Sequence, residues 1–200
     1  MRLTILQRGH RLRQRVALFA IWLVGRTEPD PVAKLSLYRP EFFGRSWVRL
    51  IESTMRGPSE WSDADREVMG AFVSRINECP FCVGIHEGTA ALLTGSSSIA
   101  EQLERWREPD FDPRLGATLG LLEKVTIAPD RVSATDVAAV RAAGVSPPAI
   151  ADALYVCFLF NTVNRLANAF DFAWATEADR VKLARGLNRI RYHIPEFLLT

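Results

Sequence analysis

The sequence predicts an all-α protein, a single-domain helical bundle carrying an extra N-terminal helix, and three observations lead there. Apolar residues recur at helical spacing through most of the chain. The stretches between them open with Ser, Asp or Pro capping signals, and no hairpin signal competes with the helical reading. With 200 residues, 48% of them hydrophobic, the chain is long enough to close one sizeable core.

Taken in order, residues 1–34 read as a basic and apolar helical extension with its linker. Arg2, Arg8, Arg11, Arg13 and Arg15 lead into an apolar run over residues 16–24, and no acid precedes Glu28. Ile5, Leu12, Val16, Phe19 and Leu23 share a helical stripe, expected to pack on the body of the protein or on another subunit. Contact with a membrane surface is the less favoured alternative for so basic a helix. The run is too short for the roughly 20 residues that span a bilayer. No small-x-small cleavage site follows it, so secretion is not expected.

Residues 35–200 read as the main domain. Asp30-Pro31 marks the linker and Arg39-Pro40 a second break, after which Phe42, Phe43, Trp47, Leu50 and Ile51 anchor a helix that ends at Arg56-Gly57-Pro58-Ser59. Ser62-Asp63-Ala64-Asp65 starts the next, with Val68, Phe72, Val73 and Ile76 as its apolar stripe. Pro80 suits the first position of a further helix, which Gly95 terminates. A short helix over 99–107 is anchored by Trp106, and Leu115, Leu119, Leu122 and Val125 mark another, ended by Pro129. Ser133-Ala134-Thr135-Asp136 repeats the capping signal. Ser146-Pro147 opens a helix that is apolar nearly all round over its middle, as a central bundle helix is. On it Cys157 reads as a buried, inert thiol. Asn161, Asn164 and Arg165 read as polar packing groups or as neighbours of a functional site or subunit boundary. The last helix covers 178–190, Tyr192-His193-Ile194-Pro195 ends it, and His193 is expected at the surface.

Chemistry-bearing residues concentrate between Glu67 and His86. Within Cys79-Pro80-Phe81-Cys82-Val83-Gly84-Ile85-His86 stand two of the three cysteines and one of the three histidines. With Cys79 as N-cap and Pro80 as the first helical residue, Cys82 falls in the first turn. Unpaired backbone N–H groups and the positive end of the helix dipole lie there and favour thiolate, the reactive form. Cys79 is close enough for a disulfide. His86, four residues on from Cys82, shares its helix face with Cβ atoms roughly 5–6 Å apart. Glu67 lies on a stripe without large apolar side chains and is placed to orient or reprotonate His86. Nucleophile, base and orienting group are the parts of an activated nucleophile.

Other readings of the pair fit less well. Structural zinc wants four ligands, and Cys157, His10 and His193 are isolated in the chain, so no metal is expected. A thioredoxin-type Cys-x-x-Cys follows a strand, whereas the residues before Cys79 read as helix. No cofactor is implied. A net charge of +2 argues against a general nucleic-acid binder. An odd number of cysteines does not resemble a secreted disulfide framework, and a catalytic pair in a reducing, cytoplasmic setting fits better.

The spacing Glu67-x11-Cys79-x2-Cys82-x3-His86 resembles that of the alkylhydroperoxidase (AhpD)-like branch of the carboxymuconolactone decarboxylase family. The likeness extends to Arg39-Pro40-Glu41-Phe42-Phe43, to Met55-Arg56-Gly57-Pro58-Ser59 and to the helix over 161–170, covering roughly residues 35 to 190. It implies an AhpD-like all-helical homo-oligomer acting as a thiol-dependent peroxidase on small organic hydroperoxides, with an external dithiol or protein reductant. By the same resemblance Cys82 is peroxidatic, Cys79 resolving, and His86 with Glu67 a proton relay. Phe81 departs from the pattern, standing where the family's best-known peroxidase carries a histidine. The alternatives are a protein thiol-disulfide oxidoreductase and a decarboxylase-like or non-redox member of the same family. The apolar neighbours Phe72, Ile76, Phe81 and Ile85 suit a small organic hydroperoxide.

Overall fold

In the computed structural model, which describes residues 1–26, 28–96, 98–174 and 176–193, every regular element is helical. The order is α1 (Ile5–Arg8), α2 (Leu12–Gly25), α3 (Pro31–Tyr38), α4 (Gly44–Arg56), α5 (Asp63–Ile76) and α6 (Pro80–Thr94). There follow α7 (Ile99–Glu104), α8 (Pro113–Ile127), a 3-10 turn at Pro129–Arg131, α9 (Ala134–Ala142), α10 (Pro147–Phe170) and α11 (Glu177–Ile190). Among the described residues none of these helices alone is long and apolar enough to cross a membrane.

The starts are those the caps dictate. Ser62 accepts from the Asp65 backbone N–H while the Asp65 carboxylate accepts from that of Ser62, a closed capping box. At α9 the Asp136 carboxylate likewise accepts from the Ser133 N–H, 2.7 Å away. Ser146 caps α10 ahead of two prolines that need no donor in the first turn.

The centre of the bundle is α5, where every residue from Arg66 to Ser74 is buried, packed between α6, α8 and α10. Met55, Met69, Val73, Leu119, Leu122 and Val156 are among the fully buried side chains, each contributing about 1.5–3 kcal/mol relative to exposure. The crossing of α5 and α10 depends on Gly70. A Cβ there would lie 2.5 Å from Phe160 Cε2, so the absent side chain is what lets the Phe160 ring descend onto α5.

Three expectations are corrected. The stripe of Ile5, Leu12, Val16, Phe19 and Leu23 does not pack on the body: all five are exposed. The extension docks through Leu6, Gln14 and Ala17, with Leu18 and Ile21 partly buried. The helix is apolar on two sides, and the side bearing the small Ala17 is the one that approaches closely. Second, the linker expected at Asp30-Pro31 is the start of α3, since the Asp30 carboxylate accepts from the Val32 and Ala33 N–H groups at 2.8 and 3.0 Å. The boundary drawn at residue 34 therefore falls inside a helix. Third, α7 stops at Glu104, leaving Trp106 beyond it, edge-on to Phe72 with ring centroids 5.2 Å apart. At the C-terminal end Arg191 and Tyr192 take left-handed φ values after α11, and Ile194 and Pro195 lie outside the described residues.

Candidate active site

The turn from α5 to α6 positions the cysteines. Glu78 adopts φ 50°, an uncommon conformation for a residue with a side chain, and reverses the chain so that Cys79 becomes the N-cap and Pro80 the first residue of α6. Three asparagines of α10 hold this turn. Asn168 donates to the carbonyls of Asn77 and Glu78, and the Asn77 amide donates to Asn161 and Asn164, both at 3.1 Å. Asn164, fully buried, donates in turn to Ser74 Oγ at 3.0 Å. The asparagines left open between packing and function thus face the thiol turn.

Cys79 and Cys82 are both free thiols, each 1% exposed, and each shifts the other's ionisation. Donation from Cys82 holds the Cys79 thiol down to about 7 despite its burial, with backbone N–H groups and Asn164 assisting. Cys82 is pushed well above the usual thiol range, first by that shared hydrogen bond, then by burial, with Asp30 adding to the effect. These directions run against the first-turn argument for Cys82 as the ionised sulfur and favour the negative charge of the pair on Cys79. The deeper sulfur keeps the proton and the N-cap sulfur accepts it. Asn164 draws both thiols toward ionisation.

Glu67 projects from α5 into the α5–α6 contact with no exposed surface. Its Oε2 stands 2.6 Å from His86 Nδ1, Arg56 Nη2 donates to Oε1, and the Tyr192 hydroxyl donates to Oε1 at 3.0 Å. Burial pushes this carboxyl up, but His86 and Arg56 more than offset it and hold it below the ordinary carboxylate range. Burial and the Glu67 charge push the Tyr192 phenol well above its usual value, so it stays a donor. The Arg56 guanidinium lies 4.7 Å over the Tyr192 ring. With Nδ1 committed to Glu67, His86 Nε2 has no hydrogen-bond partner among the described residues, and the ring rests edge-on to Phe160 with centroids 4.5 Å apart.

Cys82 and His86 share the wall of a cavity of about 660 Å³, with Phe81, Ile85, Phe160 and Tyr192 beside them. Cys79 is not on that wall. Trp174 stacks on Phe81 at 4.1 Å and lines the cavity too, while α2, α3, α4 and α11 close its far side. Among the described residues no group of three His, Cys, Asp or Glu side chains is placed to hold a metal. Cys157 lies apart, buried between Thr126 and Asn161, its thiol pushed up by burial. His193 is exposed and stands 3.0 Å from Glu52.

Sequence reasoning missed Arg56, Tyr192 and Asp30. Arg56 stands in the segment Met55-Arg56-Gly57-Pro58, which marked a helix end but no role for its charge. Tyr192 lies 125 residues from Glu67, and no local pattern joins them.

Fold and site together define a class: an all-α thiol protein in which a Cys-x-x-Cys pair and a buried carboxylate–histidine pair meet at an apolar cavity. The fold is AhpD-like. The chain is similar to the crystal structure of an uncharacterized peroxidase-related protein from Silicibacter sp. TM1040. The TM-score is 0.70 at 24% identity, covering 80% of this chain and 83% of that one. It is similar also to an alkylhydroperoxidase AhpD core structure, an uncharacterized peroxidase-related protein from Ralstonia eutropha JMP134. There the TM-score is 0.74 at 21% identity, covering 88% and 92% of the two chains. No family model and no curated protein matches the sequence.

Proposed function

We propose that the protein is a thiol-dependent peroxidase that reduces small organic hydroperoxides through a Cys79–Cys82 disulfide cycle. One observation carries the reading: Cys82 and His86 line the same apolar cavity, while Cys79, three residues back at the N-cap of the same helix, stands away from that wall. The peroxidase-related names of the two structural neighbours point the same way.

The chemistry balances with the residues present. Cys82 passes its proton to the Cys79 thiolate along their hydrogen bond, which moves the negative charge to the sulfur facing the cavity. That thiolate attacks the terminal oxygen of the hydroperoxide, the O–O bond breaks, and the alkoxide leaves with a proton delivered through His86 Nε2. Glu67 holds the imidazole by Nδ1 and fixes the orientation of its ring. Cys82 is now a sulfenic acid, and the Cys79 thiol condenses with it to give the disulfide and water. An external dithiol returns both sulfurs to the reduced state. Burial of both sulfurs weighs against a protein-sized disulfide as the main substrate.

Mass spectrometry of the reduced protein after one equivalent of cumene hydroperoxide tests the reading. The expected product has lost two hydrogens and maps to a Cys79–Cys82 disulfide. Cys82→Ser should abolish turnover, and Cys79→Ser should consume about one equivalent of peroxide and stop. Sustained turnover by Cys82→Ser rejects the assignment.

A further inference from the structure

The search ends at the part of the chain that the thiol chemistry leaves unused, the outward side of α2. Leu12 is 76% exposed, Val16 58%, Phe19 60% and Leu23 49%, and their spacing of four, three and four residues aligns them in one stripe along the helix. Trp22 stacks on Phe19 with ring centroids 5.5 Å apart and widens the stripe. So much apolar surface on the side opposite the docked Ala17 and Ile21 requires a cover.

Charge identifies the cover. At 100° per residue, Arg15 projects roughly 70° from the midline of Leu12, Val16, Phe19 and Leu23, on the side of Trp22, and Arg13 roughly 90° to the other side. Both are exposed, as are Arg8 and Arg11 just before the helix, and no Asp or Glu precedes Glu28. Arginine stems extend along apolar surface while their heads seek anions. A second copy pairing symmetrically along this stripe would set these arginine borders against each other, with no acid in the segment to offset them. Anionic lipid headgroups offset them on both sides at once.

We propose that α2 is an in-plane docking helix for an anionic membrane, with its stripe of Leu12, Val16, Phe19, Trp22 and Leu23 in the acyl boundary and Arg13 and Arg15 at the phosphates. Its 14 residues, about 21 Å long, would lie parallel to the surface. The opposite side of α2 contributes Ile21, and its flank Ala20, to the cavity beside Cys82. Docking thus sets that cavity next to the bilayer, where apolar hydroperoxides partition. This last consequence rests on the peroxidase reading; the docking does not.

Flotation of the full-length protein with phosphatidylcholine vesicles containing about 30% phosphatidylglycerol tests the proposal, against pure phosphatidylcholine and at low and high salt. The protein should float with the anionic vesicles and be released by salt. Arg13→Gln with Arg15→Gln should weaken partition about thirtyfold, each arginine being worth about fivefold. Phe19→Ser with Leu23→Ser should abolish flotation while helicity by circular dichroism is unchanged, both side chains being exposed in the free protein. Cys82→Ser should float like the wild type, which separates this proposal from the peroxidase reading. Failure to float, or equal binding to neutral vesicles unaffected by the arginine changes, overturns it. So does a wild-type oligomer that Phe19→Ser with Leu23→Ser dissociates in sedimentation, which would give the stripe to a second copy.

Discussion

Replacing Glu67 by Gln removes one negative charge from the centre of the bundle and leaves the Arg56 guanidinium and the His86 ring without their buried carboxylate. Glu67 has no exposed surface; it pairs with Arg56 and stands 2.6 Å from His86 Nδ1. After the change the nearest acid to Arg56 is Asp63, 3.6 Å from Nε. Breaking a buried pair by removing one partner costs about 3–5 kcal/mol. Gln keeps an acceptor for the Tyr192 hydroxyl, which places the cost near the low end, about 3 kcal/mol. For a chain of this size that lowers Tm by roughly 6–12 °C. Turnover should fall by about 10²–10⁴, because the imidazole loses its orienting partner. The pH dependence has a definite sign. A carboxyl whose folded pKa is depressed contributes fully above its unfolded value of about 4.3, and the contribution is lost as pH falls through the folded value. Scanning calorimetry of both proteins should therefore show a wide gap in Tm near neutral pH that narrows below about pH 4. Melting of the variant within about 1 °C of the wild type at pH 7 would refute the buried-pair argument.

Three further outcomes follow from contacts in the same region. The ultraviolet absorbance of the thiolate should rise through pH about 7, where Cys79 titrates. In Cys82→Ala the hydrogen-bond donor is gone and the midpoint should move up toward about 8.5, so an unmoved midpoint would sink the shared-proton account. Asn164→Ala takes one donor from Ser74 Oγ, which keeps its bond to the Gly70 carbonyl, and one acceptor from Asn77, costing about 1–3 kcal/mol in urea unfolding and raising the apparent pKa of the thiol pair. Stability without a thiol effect would confine Asn164 to packing. Gly70→Ala drives a methyl group into the Phe160 ring, which rests on His86, and should cost about 1–3 kcal/mol. Combining it with Phe160→Leu should recover part of that loss, and additive effects in the double-mutant cycle would show that the two side chains do not meet.

The fold was legible because its signals are local. Ser62, Ser133 and Ser146 each announce a helix start, Gly95 with φ 71° closes α6, and the apolar run over 150–170 marks the central helix. The Cys79 cap and the Glu67–His86 contact were legible for the same reason, since residue spacing on two consecutive helices nearly dictates who faces whom. What escaped depends on contacts distant in sequence or on a choice between equivalent surfaces. Arg56 reaches Glu67 from the last turn of α4 and Tyr192 from just beyond α11. Periodicity identified the stripe from Leu12 to Leu23 but was blind to Ala17 and Ile21 offering a second apolar side, and small Ala17 packs closer. For the thiol pair, helix position alone favours ionisation of Cys82, whereas its interaction with Cys79 and its burial pull the other way.

The site divides into parts with separate structural origins. The residues proposed for proton handling and sulfur chemistry sit on α5, α6 and α10, whose mutual packing is the core of the bundle, with Arg56 of α4 and Tyr192 beyond α11 reaching in to hold Glu67. Access to Cys82 is set by α2, α3 and α11, which wall the cavity from outside that core. Since Cys79 does not line the cavity and both sulfurs are 1% exposed, any oxidant or reductant must approach through those outer walls or wait for them to open. Substitutions such as Ile21→Trp or Leu187→Trp on the wall should therefore slow bulky hydroperoxides more than hydrogen peroxide while leaving the titration of the thiol pair in place. The core decides what reaction is possible, and the extension that sequence periodicity left ambiguous decides which molecules reach it.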